Sequence, residues 1–189
     1  ANALGKRPIM ELLAIVERVE AEARAKTVKG LVIMSGKEKS FIVGADIREF
    51  EHFQTEADVT AALTPVNAML DRLERLPVPV VAAIHGVCVG GGLELILACH
   101  YRIATRYDGT RIGFPEVKLG IFPGFNGTAR SIKQVGPMAA MTNMLTGGMI
   151  RASAAKAAGW LDQLVNSPGE LRWAARKAVL QTRHSKGAP

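Results

Sequence analysis

Between residues 80 and 99 the chain carries a single carboxylate, Glu94, and no lysine, arginine or aspartate, in an apolar run broken by three consecutive glycines, Gly90-Gly91-Gly92. A stretch this apolar has to be buried, and its punctuation divides it. Residues 84–89 read as a buried strand, the glycines as a tight turn, and residues 93–98 as the apolar start of a helix. Glycines let a ligand approach the main chain closely, and the first N–H groups of a helix have no partner within it. Such a turn suits a negatively charged oxygen and is a ready oxyanion hole.

Glu94 stands inside that run, and a second carboxylate, Glu116, has similar company in Ile112-Gly113-Phe114-Pro115-Glu116-Val117. A carboxyl group among apolar side chains loses hydration, which disfavours its charged form and raises its pKa toward the range useful for proton transfer. Two such groups can hand protons to and from one substrate. A second turn lies in Ser40-Phe41-Ile42-Val43-Gly44-Ala45-Asp46-Ile47, where an apolar strand end runs into Gly44-Ala45-Asp46 ahead of a charged segment, 48–56, of helical character. Two readings stand for it: another set of free N–H groups, or a plain turn in which Asp46 caps the helix.

The rest of the chain alternates strand and helix. Residues 8–26 place Ile9, Leu12, Leu13, Val16 and Val19 at helical spacing with Glu and Arg on the other face. Residues 30–35 read as a buried strand, 57–76 as a helix ending before Pro77-Val78-Pro79, and 80–84 as the next strand. Residues 137–159 are rich in Ala and Met, with Gly147-Gly148 separating two helices, and the tail from Pro168 is helical and basic. This order argues for an α/β stack. No internal repeat or low-complexity linker is visible.

With these residues the chain resembles the crotonase, or enoyl-CoA hydratase/isomerase, superfamily. The matching stretches are Phe41-Ile42-Val43-Gly44-Ala45-Asp46-Ile47, the segment 79–95 that ends in Gly90-Gly91-Gly92-Leu93-Glu94-Leu95, and the segment 114–124 from Phe114-Pro115-Glu116 to Phe122-Pro123-Gly124. The resemblance spans roughly residues 1–165 and implies an α/β fold, a repeated ββα spiral with a helical C-terminal region. It implies that the Ala45 and Gly91 N–H groups bind the thioester oxygen of an acyl-CoA, and that Glu94 and Glu116 work on a water and on the α-carbon. Gly44, Asp46, Ile47, Gly90, Pro115 and Gly124 then contact substrate. No metal is implied. The pattern is similar to the hydratase portion of multifunctional fatty-acid oxidation enzymes, which fuse it to a 3-hydroxyacyl-CoA dehydrogenase. Isomerases, hydrolases and decarboxylases of the superfamily usually keep one or neither carboxylate. One departure is Asn126, where the family commonly has a second glycine; Asn tolerates a left-handed backbone better than most residues.

The implied reaction is syn addition of water to a trans-2-enoyl-CoA. Coenzyme A enters as part of the substrate, and NAD only with a fused dehydrogenase. The expected partners are an acyl-CoA and either further copies of the chain or that dehydrogenase portion. Family members begin with a strand before the Asn2-Ala3-Leu4 segment, so residues 1–189 are expected to be one domain trimmed at its N-terminus and without a dehydrogenase portion. With no targeting segment visible, the expected compartment is the cytoplasm for a bacterial chain, an organellar matrix being the alternative.

Composition bounds the competing functions. The net charge of +7 calls for an anionic partner, and the phosphates of coenzyme A or of a nucleic acid would serve. The cations are scattered, aromatics are 5%, and no stretch interleaves the two as single-strand binders do; a crotonase-fold RNA-binding module is therefore the lesser alternative. Hydrophobic residues are 48% of the 189, yet no run is long enough to span a bilayer. Cys88 and Cys99 fit no metal spacing and read as buried free thiols of a reducing compartment. His52, His85, His100 and His184 show no ligand spacing and read as structural or exposed. Met138, Met141, Met144 and Met149 read as core or as the wall of an acyl pocket. The glycine cluster before Glu94 partly mimics a dinucleotide fingerprint, but the spacing of its third glycine and a ribose-binding acid are missing.

Overall fold

The computed structural model describes residues 1–181. Helix α1, Lys6–Arg24, leads into strands β1, Leu31–Met34, and β2, Ser40–Ile42. After a 3-10 helix, Ile47–His52, come α2, Glu56–Glu74, strands β3, Val80–Ile84, and β4, Val87–Val89, and helix α3, Gly91–Leu97. Strands β5, Tyr101–Thr105, and β6, Arg111–Gly113, precede a second 3-10 helix, Glu116–Leu119, and helices α4, Gly127–Val135, and α5, Pro137–Thr146. The chain continues through β7, Met149–Arg151, α6, Ala152–Ala157, β8, Gln163–Val165, and α7, Pro168–Gln181.

Each successive strand pair gives one strand to each of two sheets. One sheet has the order β1-β3-β5-β8 and is parallel throughout; the other is β2-β4-β6-β7, parallel except for β6 with β7. This is the ββα spiral expected above, and it is a structural repeat that leaves no repeat in the sequence. Strand β3 explains the continuous apolar run. Val80, Ala82 and Ile84 face the main core with α1, α2 and α3, while Val81 and Ala83 face Leu171, Ala174 and Ala178 of α7. Both faces are covered, so no polar residue has a place on it. Helix α3 is apolar all round apart from Glu94, because every one of its residues is buried.

Several boundaries differ from those read in the sequence. The strand expected over 84–89 is cut at His85-Gly86: Gly86 has φ +74, and a Cβ there would fall 2.1 Å from the Lys39 carbonyl oxygen. The chain turns there and crosses to the second sheet. Strand β1 is half-buried, an edge strand with one neighbour, rather than fully buried. Within the segment 48–56 only the short 3-10 helix forms, and its Glu49 caps α1 through the Lys6 amide at 2.8 Å. Helix α2 starts at Glu56 under a reciprocal Thr55 and Asp58 capping box. The two helices expected over 137–159 flank a strand, β7, that exists because β6 offers it an edge.

The methionine reading is corrected in part. Helix α5 packs through Ala140, Asn143 and Met144, so Met138, at 78% exposure, and Met141 face outward, as does Met149 on β7. Both cysteines are buried free thiols. His100 is structural: its Nδ1 accepts from the Val80 amide and its Nε2 lies 3.0 Å from the Glu74 carbonyl oxygen. His85 meets the Thr105 hydroxyl at 2.8 Å and the Tyr107 ring, and His52 is exposed. His184 lies outside the described residues. Among the described residues no helix is long and apolar enough to cross a membrane, and no cluster of three or more His, Cys, Asp or Glu is arranged to hold a metal.

Candidate active site

The two glycine turns meet. A Cβ placed on Gly90 would lie 3.4 Å from the Gly44 Cα, and one placed on Gly91 would lie 3.5 Å from the Ala45 nitrogen. The first turn is held from the N-terminus of the chain: Leu4 N donates to the Gly44 carbonyl and Asp46 N donates to the Leu4 carbonyl. Asn2 adds side-chain bonds to Ser35 and to the Phe41 carbonyl. Asp46 accepts from the Arg48 amide and pairs with its guanidinium, so the capping reading of that turn holds. Ile47 is 56% exposed at the rim.

The second turn needs glycine at its head. Gly90 sits at φ 56 and ψ −129, where a side chain is strongly disfavoured, and its N–H is tied to the Gly113 carbonyl at 3.0 Å. Gly91 then opens α3. Among the described residues neither the Ala45 nor the Gly91 amide donates a hydrogen bond to the protein, while Asp46 N and Gly90 N do. Two adjacent, uncommitted N–H groups from two turns can bind one oxygen and stabilise negative charge developing on it.

Both carboxyl groups border this pair. Glu116 begins the second 3-10 helix, after Pro115, and its Oε1 lies 3.0 Å from the Cβ position of Gly90; its Oε2 is buried without a hydrogen-bond partner. The Phe114 amide upstream is anchored by the buried Asn143 side chain at 2.9 Å, which also donates to the Gly148 carbonyl. Glu94 is 2% exposed. Its Oε1 accepts from Phe125 N at 2.7 Å and Gly127 N at 2.8 Å, which leaves Oε2 without a hydrogen bond among the described residues. Burial pushes Glu94 up to about 7, against the downward pull of the Gly127 and Phe125 amides, and the nearby Glu116 charge adds to the rise. Burial also raises Glu116. A carboxyl group tuned as Glu94 is can give or take a proton near neutrality.

The loop 124–127 is the part that spacing did not reveal. Phe125 and Gly127 hold Glu94 by their amides, and the Phe125 ring would meet a Cβ on Gly91 at 2.7 Å. Gly127 has no room for a side chain, since a Cβ would lie 2.6 Å from the Glu94 Cγ. Gly124 accepts from the Asn67 amide and packs on Leu63. Asn126 is in the left-handed region at φ 61, so Asn supplies the conformation for which the family commonly uses glycine. Pro123-Gly124 and Asn126-Gly127 mark turns in the sequence, but nothing there shows that their amides aim at a carboxylate some thirty residues earlier. Arg130 and Asn143, both buried, were likewise invisible.

The sequence profile of the enoyl-CoA hydratase/isomerase family matches residues 1–186, and the chain belongs to that family. It is 44% identical over 155 residues to the fatty acid oxidation complex subunit alpha of Idiomarina loihiensis, covering 82% of this chain and 22% of that protein. It is 42% identical over 172 residues to the subunit of the same name from Shewanella halifaxensis, covering 90% of this chain and 24% of that one. The chain thus spans less than a quarter of the length of these relatives. Among solved structures it is similar to the enoyl-CoA hydratase of Bacillus anthracis, with a TM-score of 0.85 and 32% identity over 95% of this chain and 67% of that one. Pseudomonas aeruginosa DspI superposes with a TM-score of 0.86 at 29% identity, over 96% of this chain and 71% of the other.

Proposed function

We propose that this member of the enoyl-CoA hydratase/isomerase family adds water across the double bond of a trans-2-enoyl-CoA, giving a 3-hydroxyacyl-CoA in fatty-acid β-oxidation. The observation that carries the reading is the meeting of two uncommitted amides, Ala45 and Gly91, beside the buried Glu94 and the half-buried Glu116, with Glu94 pushed up to about 7 and Glu116 raised by burial. The amides bind the thioester oxygen and stabilise the enolate-like charge, a contribution of roughly 3 to 4 kcal/mol per donor. Glu94 takes a proton from water as the water oxygen bonds to C3. Glu116 supplies a proton to C2, and transfer of the proton from Glu94 to Glu116 through solvent restores the starting state. One water is consumed, and the reaction draws on no metal or redox cofactor.

The flanking residues Gly44, Asp46, Ile47, Gly90, Pro115 and Gly124 shape the walls that receive the acyl-CoA in this reading. The names of the oxidation-complex relatives favour a role as the hydratase part of a longer protein. NAD would then serve a fused dehydrogenase portion and no step of this site, and the cytoplasm is the compartment for a bacterial chain. A covering partner, either a second copy or the fused portion, is supported by the exposed apolar side chains of Leu119, Phe122, Met138 and Leu145. Light scattering on the chain and on the full-length protein separates the two.

The test of the activity is loss of the conjugated thioester absorbance of crotonyl-CoA or a longer enoyl-CoA. Turnover by the chain, with a fall of about 100-fold or more in Glu116→Gln, is the expected result. Unchanged turnover in that variant refutes the two-carboxylate reading. Loss of hydration in Glu94→Gln with survival of double-bond isomerisation would reassign the site to an isomerase.

A further inference from the structure

Arg130 is a charged residue at 5% exposure whose three guanidinium nitrogens go three ways. Nη2 meets Asp71 at 2.6 Å and Nε meets Glu74 at 3.1 Å, both on α2; Nη1 donates to the Phe125 carbonyl at 2.8 Å. The two carboxylates keep 45% and 34% of their side chains exposed, so the ion pairs alone would not require a buried arginine. The third contact does. It fixes Phe125 from the carbonyl side while the Phe125 amide holds Glu94 from the other, and two residues on the Gly127 amide holds the same Glu94 oxygen. The Phe125 ring meanwhile backs Gly91.

We infer that Arg130 is a positioning residue for Glu94: by clamping the Phe125 carbonyl to α2 it fixes the loop whose two amides orient the Glu94 carboxylate. The inference rests on the reading of Glu94 as a catalytic carboxylate. A planar fork is what the geometry uses, since one guanidinium spans an acceptor on the loop and two on the helix at fixed angles. Lysine keeps the charge but offers one nitrogen, so it cannot reproduce all three. The charged groups that face Glu94 are Glu116, which raises its pKa, and Arg130, which lowers it, and the loop amides also lower it. Lys133 joins the outer side of the cluster through Glu74 at 3.4 Å. Releasing the clamp withdraws the amides and leaves burial less opposed.

The experiment compares Arg130→Met and Arg130→Lys with the unaltered chain, each checked for folding by circular dichroism and thermal melting. Carboxyl carbon NMR follows the Glu94 titration, assigned by its disappearance in Glu94→Gln, and amide exchange follows Phe125 and Gly127. The expected result in both variants is a Glu94 titration moved up by about one pH unit, because hydrogen bonds to the ionised form are lost. Phe125 and Gly127 amides exchange about tenfold faster or more as the loop opens. The kcat for hydration falls about tenfold with KM within about twofold, as for an interaction made in the transition state. Arg130→Lys stands in for Arg130→Met if the latter fails to fold. A folded Arg130→Lys with the original titration and exchange overturns the clamp, since charge alone then suffices. Retained hydration in Glu94→Gln removes the catalytic reading of Glu94, while titration and exchange still judge the clamp itself.

Discussion

Replacing Glu94 with glutamine should make the protein more stable as well as inactive, and the gain should depend on pH. The glutamine oxygen can still accept from the Phe125 and Gly127 amides, so the change removes the charge and little else. In the folded chain Glu94 titrates at about 7 instead of 4.5, and closing that gap at about 1.4 kcal/mol per pH unit corresponds to about 3 kcal/mol. The sign follows from proton binding. As pH rises from 4.5 to 7 the unfolded chain has already released the Glu94 proton while the folded chain keeps it, so the folded state loses stability across that window and stays lower above it. Below the window both states are protonated and the penalty vanishes. Glu94→Gln has no such titration, so its advantage should be near zero at about pH 4.5 and grow to about 2 to 3 kcal/mol by pH 8. Urea unfolding followed by tryptophan fluorescence, which reports the buried Trp160, measures both proteins at stepped pH. A difference that does not change between pH 5 and pH 8, or a variant less stable than the parent at pH 8, would refute a buried, charge-penalised carboxyl at this position.

Gly91→Ala places a methyl 2.7 Å from the Phe125 ring, so ring and amide must move apart and enoyl-CoA turnover should fall by about 100-fold, as when an oxyanion donor is lost; steady-state kinetics checks it. Arg102→Met removes the guanidinium that binds the Cys99 carbonyl at 2.7 Å at the end of α3 and pairs with Asp162, and chemical denaturation should show a loss of about 3 kcal/mol. Acyl-CoA binding should weaken only modestly with salt, because few phosphates are neutralised and amide and apolar contacts remain, whereas RNA binding should collapse by about a thousandfold between low and moderate salt. Tight RNA binding at physiological salt without enoyl-CoA turnover would reverse that assignment.

Much of the fold was legible because the central strand is buried on both faces, which leaves no freedom in residue type along β3. The turn at Gly90 was legible for the same reason: three glycines between a strand and a helix have few uses. What escaped notice depends on partners distant in sequence. The break at Gly86 follows from the closeness of the Lys39 carbonyl, and β7 forms only because β6 presents an edge to it. Both glutamates were visible as carboxylates in apolar frames. The Phe125 and Gly127 amides that hold Glu94 are main-chain atoms, and although the room beside Glu94 requires glycine at 127, a glycine in a turn does not name the carboxylate its amide holds. Met138 and Met141 are not core, because helical spacing shows that a face exists without showing which face is covered.

The most direct test of the central claim is the isotopic content of the product formed by the chain from a trans-2-enoyl-CoA in oxygen-18-labelled deuterium oxide, read by mass spectrometry and NMR. Water addition between Glu94 and Glu116 requires one labelled oxygen on C3 and one deuterium on C2, on the same face of the former double bond. Deuterium incorporated without labelled oxygen, or a substrate recovered unlabelled, would contradict hydration at this site.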